Sequence, residues 1–212
     1  MAHIRAGISH LPEPPTERET SPRRTTRTTV TAMRIAPARY EEAQDFPAYL
    51  SSVQKNGDLW EAMHRLARVP EALVARAAAL AGRWKLLALT EDWCGDAVNA
   101  LPVLARLVEQ LPTFELRMVG RDANPDLMDT HLSGTSRSIP VVIVLDEQLT
   151  ERGWWGPRPT PLQTWFNAEG RLLEKKERYR QMRQWYARDK GRTMIDEILQ
   201  IAERSLTSAG AP

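Results

Sequence analysis

Apolar side chains first recur regularly in residues 40–82, where the spacing is helical. Phe46, Tyr49, Leu50 and Val53 share a face, and Asn56-Gly57-Asp58 breaks the run. Asp58 is suited to cap a helix over residues 59–66, and Pro70 opens another that Gly82 ends. Residues 84–90, Trp-Lys-Leu-Leu-Ala-Leu-Thr, form a short apolar run suited to a buried strand. A helix is predicted from about Gly95 to Gln110, with Val98, Leu101, Val103, Leu104, Leu107 and Val108 inward and Pro102 kinking it. Residues 114–119 alternate as a strand does, and Asn124-Pro125 reads as the cap and first position of a short helix. Residues 140–146 are the clearest strand, and a turn and second strand around residues 149–155 complete an antiparallel hairpin. Beyond Pro159 the pattern is helical, interrupted near Gly170 and Gly191. This order predicts an α/β fold with a mixed sheet flanked by helices.

Residues 1–34 carry no hydrophobic period. They contain Pro12, Pro14, Pro15, Pro22 and an Arg/Thr-rich stretch, and read as a disordered basic tail. Met33 stands immediately before plausible folded sequence and could serve as a start. A single domain is expected over residues 35–206, with helical extensions at both ends and a flexible segment at 207–212. Charge sharpens this division. Residues 1–40 hold seven Arg against three Glu, and residues 171–212 hold ten basic against six acidic side chains. The overall formal charge is only +2, so the middle of the chain is acidic and bulk charge does not argue for nucleic acid.

No apolar run approaches the ~20 residues needed to span a bilayer. The N-terminal residues have no apolar segment of the signal-peptide kind, and Glu13, Glu17 and Glu19 oppose a transit-peptide reading. The chain has one cysteine, Cys94, which excludes an internal disulfide framework and any thiolate-rich metal site within one chain. A cytoplasmic protein needing no metal or cofactor is expected.

Cys94 lies in Trp93-Cys94-Gly95-Asp96-Ala97, at the seam between a predicted strand and a predicted helix. A thiol there faces free backbone N–H groups and the positive end of the helix dipole, which favour thiolate, the nucleophilic form. This motif resembles the thioredoxin active-site sequence Trp-Cys-Gly-Pro-Cys, and Ser138-Ile139-Pro140 before the next strand resembles that family's cis-proline loop. The resemblance runs from about Trp84 to Phe166. Trp155-Gly156-Pro157-Arg158-Pro159 also resembles a bacterial subgroup of thioredoxin-like proteins bearing Cys-Gly-Asp-Ala or Cys-Gly-Asp-Cys. It implies a thioredoxin-like fold, with Cys94 as the attacking thiol. It also implies a cis bond before Pro140, against the ~5–6% base rate for such bonds. Ile139 would then lie against Cys94 and could pair with an extended substrate strand, while Trp93 forms part of the substrate rim.

The departures from that pattern shape the function. Ala97 stands where the family's resolving cysteine would be, so a mixed disulfide on Cys94 must wait for an external thiol. Asp96 replaces the family's proline; its carboxylate either opposes thiolate formation or favourably charges the first helical turn. The expected function is monothiol thiol–disulfide exchange with a protein or low-molecular-weight thiol partner. The alternative is a redox-inactive scaffold that holds a protein partner in the same groove.

Other groups rank lower. A Cys–His pair would require the fold to bring His131 to Cys94, and His64 sits on a predicted helix as an ordinary surface or core residue. Asp122, Asp126 and Asp129 match no calcium or zinc spacing and read as caps and solvated charges. Tyr179, Met182 and Tyr186 share a helical face among basic residues. That face reads as docking onto the body, or onto a second copy in a homodimer, rather than as an RNA surface.

Overall fold

The computed structural model describes residues 33–209. The expected disorder of residues 1–32, and the last residues of the expected flexible C-terminus, lie outside the described part. In chain order the elements are α1 (Pro37–Glu42), β1 (Gln44–Asp45), α2 (Phe46–Ser52), α3 (Gly57–Leu66), α4 (Glu71–Ala78) and β2 (Trp84–Thr90). They continue with α5 (Gly95–Val108), β3 (Phe114–Gly120), α6 (Pro125–Asp129), β4 (Val141–Leu145) and β5 (Glu151–Trp155). Helix α7 (Thr160–Ala168), a 3-10 turn (Gly170–Leu172), α8 (Lys175–Asp189) and α9 (Arg192–Ala209) end the fold.

The strands form one mixed sheet in the order β1-β3-β2-β4-β5. β2 runs parallel to β3 and antiparallel to β4, and β4 and β5 make the antiparallel hairpin. β2 and β4 sit in the middle because Leu86–Leu89 and Val141–Leu145 are apolar without interruption and therefore tolerate cover on both faces. This is the thioredoxin-like α/β architecture. Trp60 and Met63 of α3 pack with α5 into the main core, and Ile195, Ile198, Leu199 and Ala202 bury α9 in the same core beside β5.

Several local expectations are corrected. The stretch read as wholly helical contains β1, which pairs Gln44 with Met118 and Asp45 with Arg117. Two exposed residues have no periodicity from which a strand could be read. Asp58 does not cap α3: the helix begins at Gly57, after Asn56 in the left-handed region at φ 61°, leaving Asp58 inside its first turn. Asn124 does occupy the N-cap position of α6, with Pro125 first in the helix, but its side chain makes no cap bond and its Nδ2 donates to the Gly120 carbonyl at 2.9 Å. Met33 and Arg34, placed with the tail by composition, are tied to the hairpin. Glu151 N donates to the Met33 carbonyl at 2.8 Å, and Arg34 bridges to Thr150. α9 runs through Ala209, beyond the boundary expected at residue 206.

Candidate functional site

Strand β2 delivers the chain to Glu91-Asp92-Trp93, and Cys94 is the N-cap residue of α5. The loop is clamped before it reaches the thiol. Asp92 Oδ2 accepts from Gln54 N at 2.9 Å and Lys55 N at 2.8 Å, and the Asp92 carbonyl accepts from the buried Trp60 indole at 3.0 Å. Arg121 N donates to the Thr90 carbonyl at 3.1 Å from the opposite side. These bonds fix where Cys94 Cα stands relative to the sheet.

The thiol is enclosed. Cys94 is 6% exposed, its Sγ donates to the Ile139 carbonyl at 3.4 Å, and it accepts from Ala97 N at 3.5 Å. Ile139–Pro140 is cis, as the resemblance implied, and the Ile139 carbonyl faces the sulfur. Ile139 is itself 5% exposed, and its carbonyl accepts from the thiol.

Burial decides the charge state of Cys94. Desolvation pushes its pKa up to about 11, and the Asp96 charge adds to this. The N–H groups of Ala97 and Asp96, and the Arg158 guanidinium, pull the other way and lose. The expected thiolate bias of a helix start is therefore overturned: the resting site holds a neutral thiol.

Asp96 neither caps the helix nor stays in solvent. Its carboxylate lies 2.6 Å from Arg158 Nη2 and accepts from the Tyr186 hydroxyl at 2.9 Å. Burial raises the Asp96 pKa, against the opposing pull of Arg158 and Tyr186. Burial and the adjacent carboxylate also push the Tyr186 phenol well above its ordinary value, so it stays a donor. Ala97 is fully buried in the position of a resolving cysteine.

Arg158 and Tyr186 were missed as site residues. Arg158 belongs to the Trp-Gly-Pro-Arg-Pro segment, whose conformation explains its reach. Gly156–Pro157 is a second cis bond, and Gly156 adopts φ 142° with its backbone against the Pro140 carbonyl. The segment thus backs the cis-proline loop and sends Arg158 toward Asp96, its guanidinium 4.2 Å from the Phe166 ring centroid. The helical spacing of residues 179, 182 and 186 places Tyr186 on a docking face. Met182 and Tyr186 do dock, in a small separate core with Leu162, Trp165, Phe166 and Trp185. Tyr179 does not: it is 40% exposed.

Trp93 is 45% exposed, with the Arg121 guanidinium 5.1 Å from its ring centroid, and so stands at the rim. Gly95 and Asp96 of α5, Trp93, Leu59 of α3, and Tyr179 and Arg183 of α8 line a cleft of about 300 Å³ at the start of α5.

The lower-ranked candidates lie outside this site. His131 is buried, 2.6 Å from the Leu127 carbonyl and 3.3 Å from Glu151, and edge-on to Trp154. Burial opposes its protonation, but Glu151 and that carbonyl raise its pKa overall. His64 is 2.7 Å from Glu109. Neither imidazole pairs with Cys94. Asp122, Asp126 and Asp129 are bound to Arg121, Arg39 and Arg137. Among the described residues no cluster of His, Cys, Asp and Glu could hold a metal ion, and no helix is long and apolar enough to cross a membrane.

A thiol at the N-terminus of the helix after the first central strand, facing a cis-proline loop, defines a thioredoxin-like protein. The sequence comparison agrees: a thioredoxin family model matches residues 43–176, more than half of the chain, and the protein belongs to this family. A 1.5 Å crystal structure of a Pseudomonas aeruginosa protein of unknown function is similar, with a TM-score of 0.65 and 22% identity, covering 81% of this chain and 99% of that one. An HIV epitope scaffold is similar with a TM-score of 0.63 and 22% identity, covering 80% and 98%. At this identity both show the fold alone. No curated protein matches the sequence.

Proposed function

We propose that the protein carries out monothiol thiol–disulfide exchange at Cys94. The observation that carries this reading is the contact between Cys94 Sγ and the Ile139 carbonyl at the start of α5, with Ala97 in the resolving position. The placement suits attack on a disulfide and permits no internal closure. In the forward step the Cys94 thiolate bonds to one sulfur of a substrate disulfide, whose S–S bond breaks, and the departing sulfur takes up the proton Cys94 has lost. An external low-molecular-weight or protein thiol then attacks the mixed disulfide, carries away the substrate half as a new disulfide and returns Cys94 to the thiol form. One substrate sulfur leaves as a thiol and one external thiol enters the new disulfide, so one S–S bond replaces another and the balance closes without a cofactor.

The closed site is the resting state of this cycle. With a pKa of about 11, roughly one Cys94 in ten thousand is thiolate at neutral pH. Turnover therefore proceeds from a conformation in which Cys94 is less covered. The test is intact-mass detection of mixed disulfide, and turnover of a small disulfide by an added thiol, with Cys94→Ser as control. Cys94-dependent adduct and turnover are expected. If wild-type protein and Cys94→Ser behave identically, exchange is rejected in favour of a scaffold that uses the groove to hold a partner.

A further inference from the structure

We propose that the cleft between α3, the start of α5 and α8 binds an anionic, carboxylate-bearing low-molecular-weight disulfide or thiol and presents its sulfur to Cys94. This inference rests on the exchange reading and names the substrate class for it. Lys175, Tyr179 and Arg183 stand four residues apart along α8, so they form one stripe on the cleft wall, an aromatic ring between two cations. Neither Lys175 nor Arg183 has a carboxylate partner among the described residues, although most other arginines of the site region do. The one acidic side chain in the lining is Asp96, and Arg158 already neutralises it. The field in the cleft is therefore positive.

Its other wall is apolar and wet. Leu59 is 45% exposed and Trp93 45% exposed, large hydrophobic surface that neither the core nor the sheet uses. Trp93, Gly95 and Asp96, the residues on either side of Cys94 in the chain, line the cleft while Cys94 itself is turned to the Ile139 carbonyl, so a ligand seated there reaches the sulfur once the thiol is uncovered, as exchange already requires. A volume of about 300 Å³ suits a small molecule.

The test uses three small disulfides of similar length and different charge: dithiodipropionate, hydroxyethyl disulfide and cystamine. On wild-type protein the rate of mixed-disulfide formation should fall from the dianion through the neutral compound to the dication, with about tenfold between the extremes at low salt. Lys175→Glu/Arg183→Glu, two exposed changes, should erase or invert that order. Thiodipropionate, which has no S–S bond, should perturb the Trp93 and Tyr179 resonances of wild-type protein but not of the double variant. Exchange at equal rates for all three disulfides, or an order the double variant keeps, overturns the cleft while leaving exchange intact. Selective thiodipropionate binding with no reaction of any disulfide upholds the anion cleft and overturns exchange. Absence of thiodipropionate binding overturns the cleft whatever the rates.

Discussion

Arg158 Nη2 and the Asp96 carboxylate are 2.6 Å apart, with Asp96 buried and the Arg158 side chain 14% exposed, so the loop after β5 is fastened to the first turn of the thiol-bearing helix. The pair also anchors α8, through the Tyr186 hydroxyl on the same carboxylate. Breaking one side of a buried ion pair leaves an uncompensated charge, at a cost of about 3–5 kcal/mol. Arg158→Leu should destabilise by that order in urea titration. Asp96→Asn/Arg158→Leu should be less destabilised than the sum of its parts, because the stranded charge is gone. Strict additivity would mean that the two groups do not interact.

Alkylation of Cys94 by iodoacetamide should be slow at neutral pH and climb with an apparent pKa near 11, well above the ~8.5 of a free thiol. Stability follows from the same shift. A folded pKa raised above the unfolded one means that the neutral thiol contributes fully below about pH 8.5, and that this contribution is lost as pH rises toward about 11. Wild-type Tm should therefore fall more steeply than that of Cys94→Ala over this window. Parallel curves, or an alkylation midpoint near neutrality, would show that Cys94 is not held in a dry site.

Ala97→Cys should restore dithiol chemistry. Ala97 N already donates to Cys94 Sγ at 3.5 Å, so a sulfur on the side chain of residue 97 comes within bonding reach. The site is fully buried, and the added atom should cost about 1–3 kcal/mol in the reduced protein. Air oxidation should remove both thiols from titration with a thiol reagent, and the reduced variant should release both halves of a substrate disulfide as thiols in a single turnover without an external resolving thiol, further turnover requiring added reductant. Two thiols that stay titratable after oxidation would mean that the helix start is not shaped to close a disulfide.

Strands β2 and β4 are legible because each carries an uninterrupted apolar run, Leu86–Leu89 and Val141–Leu145, and that pattern survives without tertiary context. β1 could not, since its two exposed residues are a strand only because β3 lies beside them. The same contrast divides the site. Cys94, Trp93, Ile139 and Pro140 are recognisable because their local motifs repeat the family's spacing. Arg158 and Tyr186 meet Asp96 only through the fold, and no local signal in either segment specifies that partner. The thiol's charge state is hidden in the sequence for a related reason. A helix terminus is visible in sequence, whereas the enclosure that overrides it comes from the cis-proline loop and the side chains packed around α5.

Gly156 is where that enclosure is most sensitive. A Cβ built on it would lie 2.2 Å from the Pro140 carbonyl oxygen and 3.1 Å from Val141 Cα, backbone atoms with no rotamer through which to retreat. Its φ of 142° is a further penalty for any L side chain. Gly156→Ala should therefore cost about 3 kcal/mol or more, and it should do so by displacing the Ile139–Pro140 loop from Cys94. Loosening that loop removes the acceptor of the thiol proton and lets water reach the sulfur. Two readouts should then move in opposite directions: the urea midpoint falls, while Cys94 alkylation at neutral pH rises above wild type. A destabilised variant with unchanged alkylation under native conditions would separate the Gly156 packing from the shielding of the thiol.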